Sequence, residues 1–225
     1  GSLPALDLDR WLPLFNESGA AGSAAGGAAA GTTGEGVAYD IRVGVLDALG
    51  RRMRGVLLQG AADGVGWTAN MGCVEFAGDL AYRREGSGRL VARFTRFSLP
   101  EDSPGAKVGE GAKDLPAVDL VADSFTHRGR NLGRIEVQAR HEGMAGTEPR
   151  RAWRIDKLAM THPISALTGT GLWRQGESSR TSLAFKLEVS DVGQLLDRFG
   201  YPDHLKGGRA KLEGTVKSAR AFLAV

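Results

Sequence analysis

The chain has 225 residues with a formal net charge of +3, 42% apolar and 24% charged residues, and 33 glycines against only 7% aromatics. That is enough chain for one large all-β unit or two small ones, and a composition ordinary for a folded domain. The mild charge, with Arg spread along the sequence, argues against nucleic acid, whose binders cluster Lys and Arg on one face. No run approaches the roughly 18–20 apolar residues of a membrane span, and Cys73 as the only cysteine excludes an intramolecular disulfide and a Cys-rich zinc site.

Gly1 and Ser2 read as the remnant of a cleaved tag. Residues 3–17 read as the end of a preceding repeat followed by a short helix. In it Leu8, Trp11, Leu12 and Phe15 stand at i, i+3, i+4 and i+7. Residues 18–36 are almost entirely Ala, Gly, Ser and Thr, too little apolar surface to order a segment, so they are expected to form a flexible loop.

From Val37 the period changes to two. Leu90, Ala92 and Phe94 share one side of a strand, opposite Arg89, Arg93 and Thr95. Ile135, Val137 and Ala139 alternate with Arg134, Glu136, Gln138 and Arg140. Thr181, Leu183, Phe185, Leu187 and Val189 alternate with Ser182, Ala184, Lys186 and Glu188, and Ala210, Leu212, Gly214 and Val216 with Arg209, Lys211, Glu213 and Thr215. Each strand therefore has one wet and one dry face, the signature of an antiparallel sheet covered on one side. Turn signals separate them at 85–88, 175–178 and 206–208. A polar, Gly/Pro-bearing stretch at 101–114 reads as a loop between a first β repeat over 37–100 and a second over 115–216. The second repeat contains a helix at 190–199, with Ser190 as its N-cap, the stripe Val192, Leu195, Leu196 and Phe199, and Gly200 as its stop. Its apolar stripe is expected across the dry side or one end of the sheet.

The two halves repeat. Asp40-Ile41 and Asp119-Leu120, Gly50-Arg51 and Gly129-Arg130, Val56 and Ile135, and Leu58-Gln59 and Val137-Gln138 all lie 79 apart. Trp67 and Trp153 lie 86 apart. Tyr82-Arg83 and Trp173-Arg174, Arg89 and Arg180, and Phe94 and Phe185 lie 91 apart. A unit of roughly 80–90 residues favours an extended architecture of neighbouring repeats. The expected fold is mainly β: a large, curved antiparallel sheet of two related repeats with two short amphipathic helices. Its dry face must either close as a sandwich core, which patterning alone favours, or serve as a binding groove.

No nucleophile elbow or phosphate loop appears, and Gly169-Thr170-Gly171 reads as close strand packing. Glu17, Asp63, Asp79 and Asp156 are scattered, and His127, His141, His162 and His204 show no ligand spacing. The chain therefore reads as neither an enzyme nor a cofactor binder. Trp67 and Trp153, being repeat-equivalent, read as packing residues.

One block carries a resemblance. Leu115-Pro116-Ala117-Val118-Asp119-Leu120-Val121-Ala122-Asp123, then Gly129-Arg130-Asn131-Leu132-Gly133-Arg134, Trp153-Arg154-Ile155, Leu167 to Trp173, and Phe185-Lys186-Leu187-Glu188-Val189 are followed by Gly193, Leu195-Leu196, Arg198-Phe199-Gly200-Tyr201-Pro202, Gly207-Gly208 and Lys211-Leu212-Glu213-Gly214. This order resembles the YhdP family, and Gly50-Arg51-Arg52, Trp67 and Gly78-Asp79-Leu80 extend the likeness, which covers most of residues 3–216. The 18–36 loop is longer and blander than the family pattern, and 217–225 looks like a truncated or foreign tail. The resemblance implies membership with AsmA and TamB: very long, inner-membrane-anchored proteins with a β-rich periplasmic body in Gram-negative cells. Their elongated β-grooves carry phospholipid from inner to outer membrane and so support outer-membrane integrity. This chain would be one internal section of such a body. It would have phospholipid, neighbouring repeats of its parent chain and, through the parent's anchor, the membrane as partners. On that reading Leu90, Phe94, Leu183, Phe185 and Leu187 are the lipid-contacting residues; the alternative is a structural or protein-interaction module with a closed core.

Overall fold

The computed structural model describes residues 1–7, 37–48, 51–84, 88–99, 101–102, 116–142, 152–174 and 180–218. The helix and loop expected between Leu8 and residue 36 lie outside these, as do the turn residues 85–87 and 175–179 and the last seven residues of the chain.

The strands run β1 (Ser2–Asp7), β2 (Val37–Ala48), β3 (Arg51–Asp63), β4 (Gly66–Gly72), β5 (Phe76–Arg83), β6 (Arg89–Ser98), β7 (Glu101–Asp102), β8 (Ala117–His127), β9 (Arg130–His141), β10 (Ala152–His162), β11 (Ser165–Arg174), β12 (Arg180–Val189) and β13 (Ala210–Ser218). One helix, α1 (Val192–Arg198), stands between the last two. All strands belong to one sheet in chain order, except that β7 pairs with the start of β3 instead of lying between β6 and β8. Ser2 thus stands in a strand, Glu101 and Asp102 pair where the sequence suggests loop, and Lys217 and Ser218 complete β13.

The sheet repeats in register. In the β2–β3 hairpin Asp40 faces Gln59, Ile41 faces Leu58, Val43 faces Val56 and Ala48 faces Arg51. In the β8–β9 hairpin Asp119 faces Gln138, Leu120 faces Val137, Ala122 faces Ile135 and His127 faces Arg130, every partner 79 residues on. Trp67 faces Ala62 and Tyr82, as Trp153 faces His141 and Trp173. Gly78 faces Phe94 as Gly169 faces Phe185. Because a slip of one residue would turn every side chain to the other face, matching register in both halves means matching faces as well.

The expected antiparallel sheet is in fact mixed. β1 runs parallel to β2 and β6 parallel to β8, and here too the register repeats: Leu6 faces Leu46 as Phe97 faces Phe125. A parallel join needs a crossover of a dozen or more residues. The long connections 8–36 and 99–116 meet that requirement, which a hairpin turn could not. Leu6 is therefore the counterpart of Phe97, and β6 is the match of β1. β12 and β13 instead pair antiparallel, with Val189 facing Ala210.

The core is one continuous cluster on a single face. It contains Val43, Leu46, Met53, Val56, Cys73, Phe76, Ala92, Phe94, Ala122, Ile135, Leu158 and Leu183. Ala122 is 0% and Val56 1% exposed, although among the described residues no second sheet lies behind this one and β1 and β13, at its two ends, do not pair. On a flat single layer the taller side chains would stand in solvent. Their burial fits an apolar face that curls inward so that rows from successive strands meet. Register shifts at Ala77/Gly78, Ala122/Phe125 and Ile155/Leu158 supply local bends. The sheet is thus a long, open, curved layer.

α1 is one residue shorter at its start than the sequence suggests. Asp191, not Ser190, is its N-cap: the Gln194 backbone N–H donates to Asp191 Oδ1 at 2.9 Å. Ser190 instead donates through Oγ to Ile164 O. The helix sits at one end of the sheet, beside the β8–β9 and β10–β11 turns. Arg198 donates to Asn131 O at 2.7 Å and packs on His162, and Arg130 lies 5.6 Å from the Phe199 ring centre. Burial and the neighbouring Arg198 guanidinium hold His162 below the ordinary imidazole range.

Candidate functional site

The candidate site is the apolar face. The five side chains expected to line it fall on that face in two repeat-related groups. Leu90 faces Tyr82 and Val118, and Phe94 faces Gly78 and Ala122. Leu183, Phe185 and Leu187 face Gly171, Gly169 and Leu167 on one side and Val216, Gly214 and Leu212 on the other.

Their exposures differ. Phe94 and Leu183 are 7% and 8% exposed and belong to the packed floor. Leu90, Phe185 and Leu187 are half-buried. Leu212 and Val216, which the sequence reading placed on a dry strand side but did not select, are 55% and 53% exposed. The apolar face is therefore open at both ends of the sheet: toward β13, and at β1 and β2, where Leu3 and Val37 are 44% and 70% exposed. The alternation of β13 carried that signal; its position at the end of the sheet did not show in the sequence.

Glycines shape the floor. A Cβ on Gly169 or Gly171 would stand 2.9 or 2.8 Å from the backbone oxygen of Ala184 or Ser182, so the Gly169-Thr170-Gly171 segment does mark close strand packing. The Phe185 ring lies 3.4 Å from where a Gly214 Cβ would be. Where the first repeat meets β8, the face is filled by phenylalanines. Phe76, Phe94, Phe97 and Phe125 form a chain with ring centres 5.2 Å (76–94), 5.7 Å (94–97) and 5.6 Å (97–125) apart, within the favourable range for aromatic pairs.

At the opposite ends of the strands stands a second kind of aromatic. Trp67 stacks on Tyr82 at 6.0 Å, and the Tyr82 hydroxyl lies over Gly88. Trp153 meets His141 edge-on and donates its indole N–H to His141 Nε2 at 3.1 Å. Trp173 faces Trp153 across the strand pair, and its Nε1 is buried with no acceptor among the described residues. Packing is thus the immediate role of Trp67 and Trp153.

Cys73 lies on the apolar side, buried, and burial pushes its thiol up to about 11. At pH 8 only about one molecule in a thousand would carry the reactive thiolate. A disulfide-exchange reagent at pH 8 should therefore label the folded chain at least a hundredfold more slowly than the chain in denaturant; equal rates would place Cys73 at the surface.

The polar face is knitted by ion pairs. Arg52 binds Asp47 through two hydrogen bonds of 3.0 and 2.9 Å. Arg89 and Arg93 share Asp119, and Arg140 reaches Asp156 at 2.7 Å. Lys157 and Arg134 hold the Glu136 carboxyl below its ordinary range. Such exposed pairs add little stability each, but they keep this face wet. Two shallow hollows, about 370 Å³ around Asn70, Asp79 and Arg93 and about 720 Å³ around Thr170, Ala184 and Lys186, open mostly on this polar side.

No curated protein and no solved structure matches the chain. Among the described residues no helix is long and apolar enough to cross a membrane, which says nothing of strands. The sequence model of the YhdP protein matches residues 1–220, both parallel joins and both β repeats included. With the open repeat-built sheet, that match places the chain in the YhdP family of AsmA-like envelope proteins.

Proposed function

We propose that this chain is a periplasmic section of a bridge-like envelope protein that holds phospholipid acyl chains on its apolar face and supports inner-to-outer membrane lipid transport. It acts as a conduit and not as a catalyst. Its partners are phospholipid, the adjoining repeats of its parent chain and, through that parent's anchor, the membrane. The observation that supports this reading is the open apolar face running from β2 to β13, with Leu212 and Val216 more than half exposed and no second layer over it among the described residues. Acyl chains need apolar contact and little polar geometry, and contiguous exposed apolar surface of this kind marks a ligand or partner site.

A structural or protein-interaction module is the second reading. The burial of Phe94, Leu183 and Ala122 favours it, since a floor packed that well resembles an ordinary core. The two separate experimentally. A photoreactive residue at Phe185 or Leu187, introduced into the full-length parent in cells, should crosslink phospholipid, while the same residue at Lys186 or Glu188 on the polar face should not. Protein-only crosslinks from every apolar-face position would sink the transport reading and leave the structural one.

A further inference from the structure

Resting on that lipid reading, we propose that phospholipid lies along the strands with its phosphate and ester groups at the tryptophan-bearing margin and its acyl ends toward α1 and the phenylalanine cluster. The two long margins of the apolar face differ in chemistry. At one, where β3 turns into β4 and β5 into β6, stand Trp67, Tyr82, His141, Trp153 and Trp173, every tryptophan among the described residues. Each tryptophan and tyrosine ring is apolar in body and polar at one atom, the kind of side chain that settles where hydrocarbon meets water. At the other margin Phe76, Phe97 and Phe125 gather, rings with no polar atom to offer, beside His127 and beside His162, on which Arg198 packs.

Two further observations agree. Trp153 has its acceptor in His141, but the Trp173 N–H is buried without one, a state that folded proteins rarely leave uncompensated. An ester carbonyl or phosphate oxygen at this margin is an acceptor of the right kind, reached by a small turn of the indole. Arg84, exposed and two residues past Tyr82, is a basic residue that a phosphate meets at this margin.

Length fits as well. From Thr181, beside Trp173, to Leu187 is six residues, about 20 Å at the rise of a strand. The hydrocarbon of one leaflet is about 15 Å deep, so a chain whose ester lies at Trp173 ends near Phe185, inside this span.

The test uses the 225-residue chain with Trp11→Phe, which leaves three tryptophans, all at this margin. It is loaded with phosphatidylethanolamine brominated at acyl carbons 6,7 or 11,12, and bound lipid is counted by mass spectrometry. The 6,7-dibromo lipid should quench tryptophan emission at least twofold more than the 11,12 lipid. Trp173→Phe should lower bound lipid severalfold with the melting temperature unchanged or raised, since it removes an unpaired buried donor. Stronger quenching by the 11,12 lipid, or equal quenching, overturns the orientation while lipid binding stands. Full lipid retention in Trp173→Phe overturns the hydrogen bond. No bound lipid with either probe overturns the lipid reading itself.

Discussion

Phe94→Ala should destabilise the chain by about 3–5 kcal/mol, the cost of emptying a buried phenylalanine site. Phe185→Ala, at the same place one repeat later, should cost only about 1–2 kcal/mol, as befits a half-buried side chain. Urea denaturation followed by circular dichroism reads both. The contrast follows from neighbours, not from chemistry. Phe94 is closed in by Phe76 and Phe97 and has β8 beside it, itself backed by five further strands. Phe185 has only β13 beyond it, with Gly214 beneath its ring. On the lipid reading the order reverses for binding: Phe185→Ala removes accessible apolar surface and should lower lipid crosslinking from Leu187 severalfold. Equal destabilisation by the two variants would mean that the second repeat is covered by something else.

Gly78→Ala should be as damaging as Phe94→Ala, at about 3 kcal/mol or more. Gly78 sits at the register shift between β5 and β6 with φ of 152°, a conformation that residues with a side chain rarely adopt. A Cβ there would lie 2.1 Å from the Arg93 carbonyl oxygen and 2.6 Å from the Phe94 Cα, both backbone atoms that cannot step aside. Gly72→Ala, where a Cβ would meet nothing within 4 Å, is the internal control and should stay within about 1 kcal/mol of the parent. The pair measures strain against generic glycine effects, again by urea denaturation. A small effect at Gly78 would show that β5 and β6 can re-register without the bulge, and the bend it gives to the apolar face would then be dispensable.

Much of the sheet was legible residue by residue. The alternation around Phe94 and Phe185 identifies the apolar side correctly, and the 79-residue and 91-residue pairs mark positions that take the same place in the two halves of the sheet. This works because period-two patterning and turn chemistry are local: each strand declares its own dry side, and each short turn fixes the register of the two strands it joins. α1 was legible too, except for its cap, where Ser190 and Asp191 are both good candidates and only the direction of their side chains chooses between them. The parallel joins were not legible. The connections after β1 and after β6 look like loops, and nothing in their residues says whether the chain returns in the same or the opposite direction.

The apolar-face residues divide along the same line. That Leu90, Phe94, Leu183, Phe185 and Leu187 share a side is a property of their spacing. That Phe94 is floor while Phe185 and Leu187 remain half open depends on how many strands lie beyond each, which only the assembled sheet determines. The gathering of Trp67, Tyr82, His141, Trp153 and Trp173 at one margin likewise arises from strand order and stagger, since these residues are spread over more than a hundred positions. By itself the sequence therefore determined the strands, their faces, the repeat and the family. The tertiary structure decided that the sheet is mixed and open, which side chains are buried, and that its two margins differ. Burial and juxtaposition are sums over distant neighbours, whereas a strand's face is set by the residues beside it.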